Sequence, residues 1–504
     1  MRTKALLLAL TALAIAAGAA PVRAEFPAAP QAQSFDLHLQ RGLQLLQAGR
    51  APEAVVELEA AVAQRPDSAE AQYHLGRALM TAGRPRDAVP HLELALRDAP
   101  EPGPVHFLLA QVLLELEELE AAGKELDAAA ASRPGFAPIE YYRAELCYLL
   151  GKVDTARARF EAVAQAAPGW NLPLVRSGMI ALDDGDATQA IERFNAALAL
   201  NESNPTLWMR LASAYVADGN TDEAVRAYRK AVEVGPRFTP ARMALVGQLN
   251  AQRDYEGMRG ALDDLLALQP GHPLAEYQLA SLLSTQGDNE QALAAVDVAV
   301  AGFDAQAAPA GVQEAEQHTY RALSRGLRAQ ILMKLGRDDE AIEEAQRLVE
   351  SDPSYPDAHF VLGTLQLRRR DPSGREQLEI FKQLSDAREH REQADARLRA
   401  DDLERAAGEY EQALQADPQD SASLIGLATV RRRQGDAAAA LELLERADPR
   451  GVETVPWYRE RILALDAAGR SDEAMAAWQV SRTRGLDLGP EVWAVTRRDI
   501  PGCG

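Results

Sequence analysis

Cysteine is almost missing from this 504-residue chain: Cys147 and Cys503 are the whole supply. Two thiols make no disulfide framework, so small disulfide-stapled folds are excluded. Aromatic residues make up 5% of the sequence, and β-branched runs are scarce. Ala, Leu, Glu, Arg and Gln dominate instead, a composition that favours helix nearly everywhere. Phosphate-loop, nucleophile-elbow, His-Glu-x-x-His and Cys-x-x-Cys patterns are all absent. The eight histidines include no pair at helical metal-ligand spacing. The tetrad DDGD at 183–186 lacks calcium-loop spacing and reads as a turn between helices. No cofactor, metal site or catalytic constellation is expected, and a non-enzymatic protein is.

Positive charge is also in short supply. Lys and Arg number 54 against 75 Asp and Glu, a net charge of -21. Such a surface repels phosphate backbones, which argues against nucleic acid as a partner. Long apolar runs are lacking except at the start, where Arg2 and Lys4 precede ALLLALTALAIAAGAA (5–20) and then Pro21-Val22-Arg23-Ala24. A basic head, an apolar middle and a small-x-small end read as a signal peptide over 1–24, cut after Ala24. Sixteen apolar residues fall short of the ~20 that span a bilayer comfortably. No cysteine follows the apolar segment to carry a lipid. The expected mature protein is soluble, lies outside the cytoplasm and makes no stable membrane insertion. The leader removes three basic residues and no acidic ones, taking the charge from -21 to -24. EFPAAPQAQS (25–34) reads as linker.

What the chain has in abundance is repetition. Residues 49–66, GRAPEAVVELEAAVAQRP, return at 83–100 as GRPRDAVPHLELALRDAP, 34 residues later. In blocks of 34 from Phe35, position eight is Gly42, Gly76, Ala110, Ala144, Gly178, Ala212, Val246 and Ala280. Position fifteen is Gly49, Gly83, Glu117, Gly151, Gly185, Gly219, Arg253 and Gly287. Position twenty is Ala54, Ala88, Ala122, Ala156, Ala190, Ala224, Met258 and Ala292, and position thirty-two is mostly proline. Apolar spacing of i, i+3, i+4, i+7 gives two amphipathic helices per block. Glycine at fifteen suits a left-handed helix stop, and proline at thirty-two ends the second helix. Small residues at eight and twenty let the two backbones approach, with large ones at twenty-four, such as Leu58, Leu92 and Phe160, filling the space beside them.

Eight blocks (35–306) keep phase without insertion. An insertion at 307–321 precedes units nine to thirteen (322–488), with unit ten (356–386) irregular because RRRDPSGRE replaces the tight turn. Later units start at Ala387, Ser421 and Val455, and 489–504 reads as a capping helix and tail, of the kind that shields the last core face of a repeat array. Cys147 sits at position eleven, where neighbouring blocks have leucine, and is expected to be a buried small hydrophobe with no bond to Cys503.

The sixth block, 205–238, carries Trp208, Leu211, Ala212, Tyr215, Gly219, Ala224, Tyr228, Ala231 and Pro236 at one repeat's signature positions. The chain thereby resembles the tetratricopeptide repeat family. The resemblance implies an all-α fold, a right-handed α-solenoid of about thirteen helix-turn-helix repeats of 34 residues. It further implies that positions two, five, nine and twelve of the first helix line a concave groove that reads a protein or peptide segment.

Position five runs Leu39, Tyr73, Phe107, Tyr141, Val175, Met209, Met243, Tyr277, then Phe360 and Ile425. Tyr73, Phe107, Tyr141, Met209, Met243, Tyr277 and Phe360 are the candidate groove contacts, with packing against the next helix as the competing role. Some family members clamp a terminal carboxylate with Lys and Asn here. Leu39, Leu43, Tyr73 and Arg77 in the first two blocks do not make that clamp. In the last third, Arg368, Arg388, Arg391, Arg432, Arg433 and Arg459 stand at or beside inner positions and form a candidate basic patch for an anionic partner. The competing expectation is pairing with nearby acids such as Asp357, Asp395 and Glu404. The expected function is a scaffold in the bacterial periplasm that captures a partner segment. The alternative is a dedicated subunit of an envelope machine for polysaccharide export, cytochrome maturation or outer-membrane assembly.

Overall fold

The structure is a computed structural model that describes residues 30–305, 312–447, 455–484, 486 and 488–496. Among these residues there are 26 helices and no strands. The segment read as a signal peptide lies outside the described residues.

The helices come as hairpins. Pro30–Gln47 (α1) pairs with Ala51–Gln64 (α2), Ala69–Thr81 (α3) with Pro85–Asp98 (α4), and Pro102–Glu115 (α5) with Leu119–Ser132 (α6). Ala137–Leu149 (α7), Val153–Ala166 (α8) and Asn171–Asp183 (α9) follow. Next come Ala187–Leu200 (α10), Pro205–Ala217 (α11), Thr221–Val234 (α12), Thr239–Ala251 (α13), Tyr255–Leu268 (α14), Pro273–Gln286 (α15) and Asn289–Ala305 (α16). Val312–Lys334 (α17), Asp338–Ser351 (α18), Pro356–Arg368 (α19), Ser373–Arg399 (α20), Leu403–Ala416 (α21), Ser421–Arg433 (α22), Ala437–Ala447 (α23), Val455–Ala467 (α24), Ser471–Thr483 (α25) and Pro490–Thr496 (α26) complete the chain.

Each hairpin turns the same way. The residue at position fifteen is left-handed in all thirteen units, whether glycine (φ 71 to 91°) or not: Glu117, Arg253, Arg370 and Asp401 have φ of 59, 59, 63 and 60°. The following N–H donates to the carbonyl five residues back, as Arg84 N does to Leu79 O at 2.9 Å and Asp254 N to Leu249 O at 2.9 Å. This is the 6→1 bond of a Schellman stop, which satisfies a carbonyl the helix leaves orphaned. Behind the turn, position eight meets position twenty-four. A Cβ on Gly42 would stand 2.6 Å from Leu58 Cγ, and one on Gly76 2.6 Å from Leu92 Cγ. The alanines at position twenty are fully buried from Ala54 to Ala224, and so are Leu58, Leu92, Leu126, Phe160 and Phe194 at twenty-four.

A polar seam accompanies this apolar one. Position four faces position twenty-three of the same hairpin: His38 meets Glu57 at 2.6 Å, Gln72 meets His91 at 2.7 Å, and His106 meets Glu125 at 2.5 Å. Farther along, Arg325 pairs with Glu344 at 3.0 Å and His390 with Glu409 at 2.9 Å. Position four also reaches back to the proline carbonyl ending the previous unit, as Gln72 does to Pro66 O at 2.7 Å and Arg242 to Pro236 O at 2.8 Å. His38, His91, His106 and His390, set aside in the sequence as non-ligands, thus link the two helices of their hairpins.

Three segments differ from expectation. Residues 30–34 are not linker but the first turns of α1, because Pro30 at a helix start removes no needed donor. Residues 312–321 of the expected insertion extend the first helix of unit nine. The boundary between units ten and eleven falls inside the 27-residue α20, where 375–399 contain neither glycine nor proline to stop the helix. Arg370 nevertheless keeps the left-handed turn of unit ten.

The chain divides into two compact units: Met1–Asp186 together with Trp493–Gly504, and Ala187–Val492. Within the first, Trp493 of α26 packs edge-on against Tyr148 with ring centroids 5.7 Å apart. Cys147, buried as expected, is disulfide-bonded, and there is no free cysteine among the described residues. Cys503 lies outside those residues, but the sequence offers no other cysteine. The expectation that Cys147 makes no bond to Cys503 is therefore corrected.

Candidate protein-binding face

Positions two, five, nine and twelve recur at helical spacing and share one face of each first helix. In the first unit that face is filled from within around Tyr141 and Val175. Tyr141 is fully buried, with Tyr142, Phe160 and Trp170 rings at 5.5, 5.3 and 4.9 Å. It cannot meet a partner and leaves the candidate set; Val175 is buried as well. Tyr73 and Phe107 are half-buried, the latter edge-on to Tyr142 at 5.4 Å. Beside them Glu145, at position nine, takes both arms of the Arg176 guanidinium from the next repeat. Both side chains are buried, 7% and 6% exposed for Arg176 and Glu145. A planar fork on a carboxylate is the geometry that compensates desolvation of both charges. Burial, with Arg77 adding to it, pulls His74 down to about 3, so this ring is neutral near pH 7.

In units six to nine of the second unit, positions two, five, nine and twelve carry no charged side chain. Met209, Met243, Tyr277 and Phe360 are half-buried at position five. Position nine is Ser213, Gly247, Ser281 and Gln330 in units six to nine. Small neighbours leave the thioethers and rings reachable, and an unbranched methionine adapts to varied surfaces. Unit nine has glycine at position five, Gly326, and the gap is not empty. A Cβ there would lie 2.6 Å from the Tyr355 ring, so Tyr355 occupies the missing side chain's place. Sequence inspection missed Tyr355, although a glycine interrupting the ladder was the signal.

The candidate basic patch does not exist as converging free guanidiniums. Arg368 faces Asp338 at 3.7 Å, Arg388 Glu392 at 3.3 Å, Arg391 Asp420 at 3.0 Å and Arg433 Asp401 at 2.7 Å. Arg432 grips buried Glu460 of the next repeat, a second inter-repeat pair like that of Glu145 and Arg176. Arg459 is exposed. Most of the pairing acids are not those expected: Asp395 accepts from the Tyr410 hydroxyl, and Asp357 feels the charge of Arg388 without a direct ion pair to it.

Family models described as tetratricopeptide repeat match residues 45–112, 79–139 and 397–459, and residues 175–240 and 327–375. They cover more than half of the chain, which belongs to the tetratricopeptide repeat family. Such repeats make it a helical scaffold for protein–protein contact. A curated relative is the cytochrome c-type biogenesis protein CycH of Rhizobium meliloti (strain 1021), 40% identical over 104 residues. That stretch is 19% of this chain and 26% of the relative, so the match spans about a quarter of that protein. Among solved structures, a repeat protein from Cytophaga hutchinsonii is 16% identical, covering 48% of this chain and 99% of its own, with a TM-score of 0.37. PilW, a type IV pilus biogenesis factor, is 19% identical, covering 40% and 92%, with a TM-score of 0.36.

Proposed function

We propose that this protein is a non-enzymatic periplasmic scaffold that captures a partner segment along the inner face of residues 187–492. The observation that carries the reading is the half-buried ladder of Met209, Met243, Tyr277 and Phe360 beside small uncharged neighbours. A preformed face spares the scaffold its own ordering cost, and modest pockets add along the array. The leader-like start supports export. A narrower reading makes the protein a subunit of an envelope machine, with cytochrome maturation favoured over polysaccharide export or outer-membrane assembly by the partial likeness to CycH.

The test is affinity capture from envelope extract, using as bait protein recovered from the periplasm with Glu25 as its first residue. A Met209/Met243/Phe360→Ala variant of unchanged helical content is run beside it. The expected result is a discrete partner held by the wild type and lost by the variant. Equal capture by both, or a cytoplasmic protein that keeps its leader, contradicts the reading.

A further inference from the structure

Units eight to ten bring three tyrosines and one carboxylate onto neighbouring helices. Tyr277 of α15 and Tyr320 of α17 lie with ring centroids 6.1 Å apart at 63°, and Tyr320 is backed by Phe303, stacked at 6.0 Å and 9°. Tyr355 covers Gly326 and is followed two residues on by Asp357, at position two of unit ten. All three tyrosines and Asp357 are partly exposed. Asp357 has no ion-pair partner among the described residues, although the Gln330 amide hydrogen-bonds it. Arg388, the cation whose charge it feels, turns to Glu392 at 3.3 Å. Burial raises the Asp357 carboxyl above the ordinary aspartate range, against the opposing pull of Arg388 and of the Gln330 amide beside it. A half-buried carboxylate without a cation is unfavourable in the free protein. Rings of tyrosine present negative faces that attract ammonium or guanidinium groups.

We propose that Tyr277, Tyr320, Tyr355 and Asp357 form a receptor for one cationic side chain, lysine or arginine, of the peptide segment bound on this face. The proposal rests on the scaffold reading and names the chemistry of its partner. The site supplies tyrosine rings and one formal negative charge, so it discriminates a cation from an uncharged residue of similar length. The flanking ladder of Met243 and Phe360 asks for apolar residues on either side of that cation. The net charge of -21 draws such segments in at long range. Gly326 is a positioning residue, since any larger side chain there displaces the Tyr355 ring.

The test pans a random 12-residue peptide library on the full chain, then measures the selected peptides by fluorescence anisotropy. The expected result is enrichment of one Lys or Arg flanked by apolar residues. Replacing that cation by Gln, or Asp357→Asn, each weakens binding about tenfold. The two changes together cost little more than either alone, because they remove the same interaction. Gly326→Ala weakens binding without touching any contacting group. Asp357→Asn keeps or raises Tm, since the carboxylate is a liability in the free protein; a drop of several degrees would make it structural and overturn the proposal. Selected peptides without a cation, or unchanged affinity in Asp357→Asn, would also overturn it. If Met209/Met243→Ala still abolishes binding in that case, the inner-face reading survives alone. Tighter peptide binding by Arg388→Ala would show that the protein's own arginine occupies the site, which is likewise contrary to the proposal. No peptide bound by the wild type defeats both.

Discussion

The two units are written in one repeat and use its inner face in opposite ways. In residues 30–186, that face turns into core around units four and five: Tyr141 disappears among aromatic rings, and position nine contributes Glu145 to a buried pair with Arg176, while Tyr73 and Phe107 stay half-buried. In units six to nine of residues 187–492, the same positions hold methionines, serines and glycines, with no charged side chain among them and Met209, Met243 and Tyr277 half-buried. A periodic pattern therefore fixes which residues share a face, but residue size at the neighbouring positions decides whether that face is surface or interior.

The comparison breaks most sharply at the buried pair. Removing one member, Glu145→Ala or Arg176→Ala, leaves an uncompensated charge and should destabilise the first unit by about 3–5 kcal/mol. Replacing both by Leu and Met should cost far less, because the volume stays filled and no charge remains. Urea unfolding of the single and double variants checks this. Single variants within about 0.5 kcal/mol of wild type would mean that the face of this unit is as open as that of the other.

A smaller effect sharpens the comparison by addressing each unit separately. Glu117 in the first unit and Arg253, Arg370 and Asp401 in the second are held at positive φ, where a Cβ is crowded. Each change to glycine should stabilise by about 0.5–1 kcal/mol, the relief of crowding exceeding the added freedom of the unfolded chain. Calorimetry should show Glu117→Gly moving the transition of its own unit and Arg253→Gly that of the other. Destabilisation by either would mean that their side-chain contacts outweigh backbone strain.

Much of the architecture was legible because its causes are local. Glycine at fifteen signals a left-handed stop, and Gly42 against Leu58 signals close helix approach. Even Glu117 and Arg253 could be read as left-handed by register, though not by their own preference. The irregular tenth unit was visible in RRRDPSGRE, but its consequence, one helix running through 373–399, depended on the missing stop farther on. The binding face was legible as a row and not as a surface. Tyr141 and Tyr73 occupy the same position, and only neighbours such as Trp170 and Phe160 bury the first. Tyr355 reaches Gly326 from 29 residues away, and the bonded state of Cys147 has no counterpart in the repeat register. Such long-range events leave no periodic trace. The arginines of the last third were legible as a cluster, but their neutralisation by Asp338, Asp401, Asp420 and Glu460 was not.

The central claim is that the inner face of the second unit receives a partner segment while that of the first does not. Site-specific photo-crosslinking tests it most directly, with benzoylphenylalanine placed in turn at Met243, at Tyr141 and at the outward-facing, exposed Val298, in cells that make the full chain. The account predicts a discrete adduct from position 243 and none from 141 or 298. Adducts from 298 equal to those from 243, or none from 243 while 141 gives one, would contradict it.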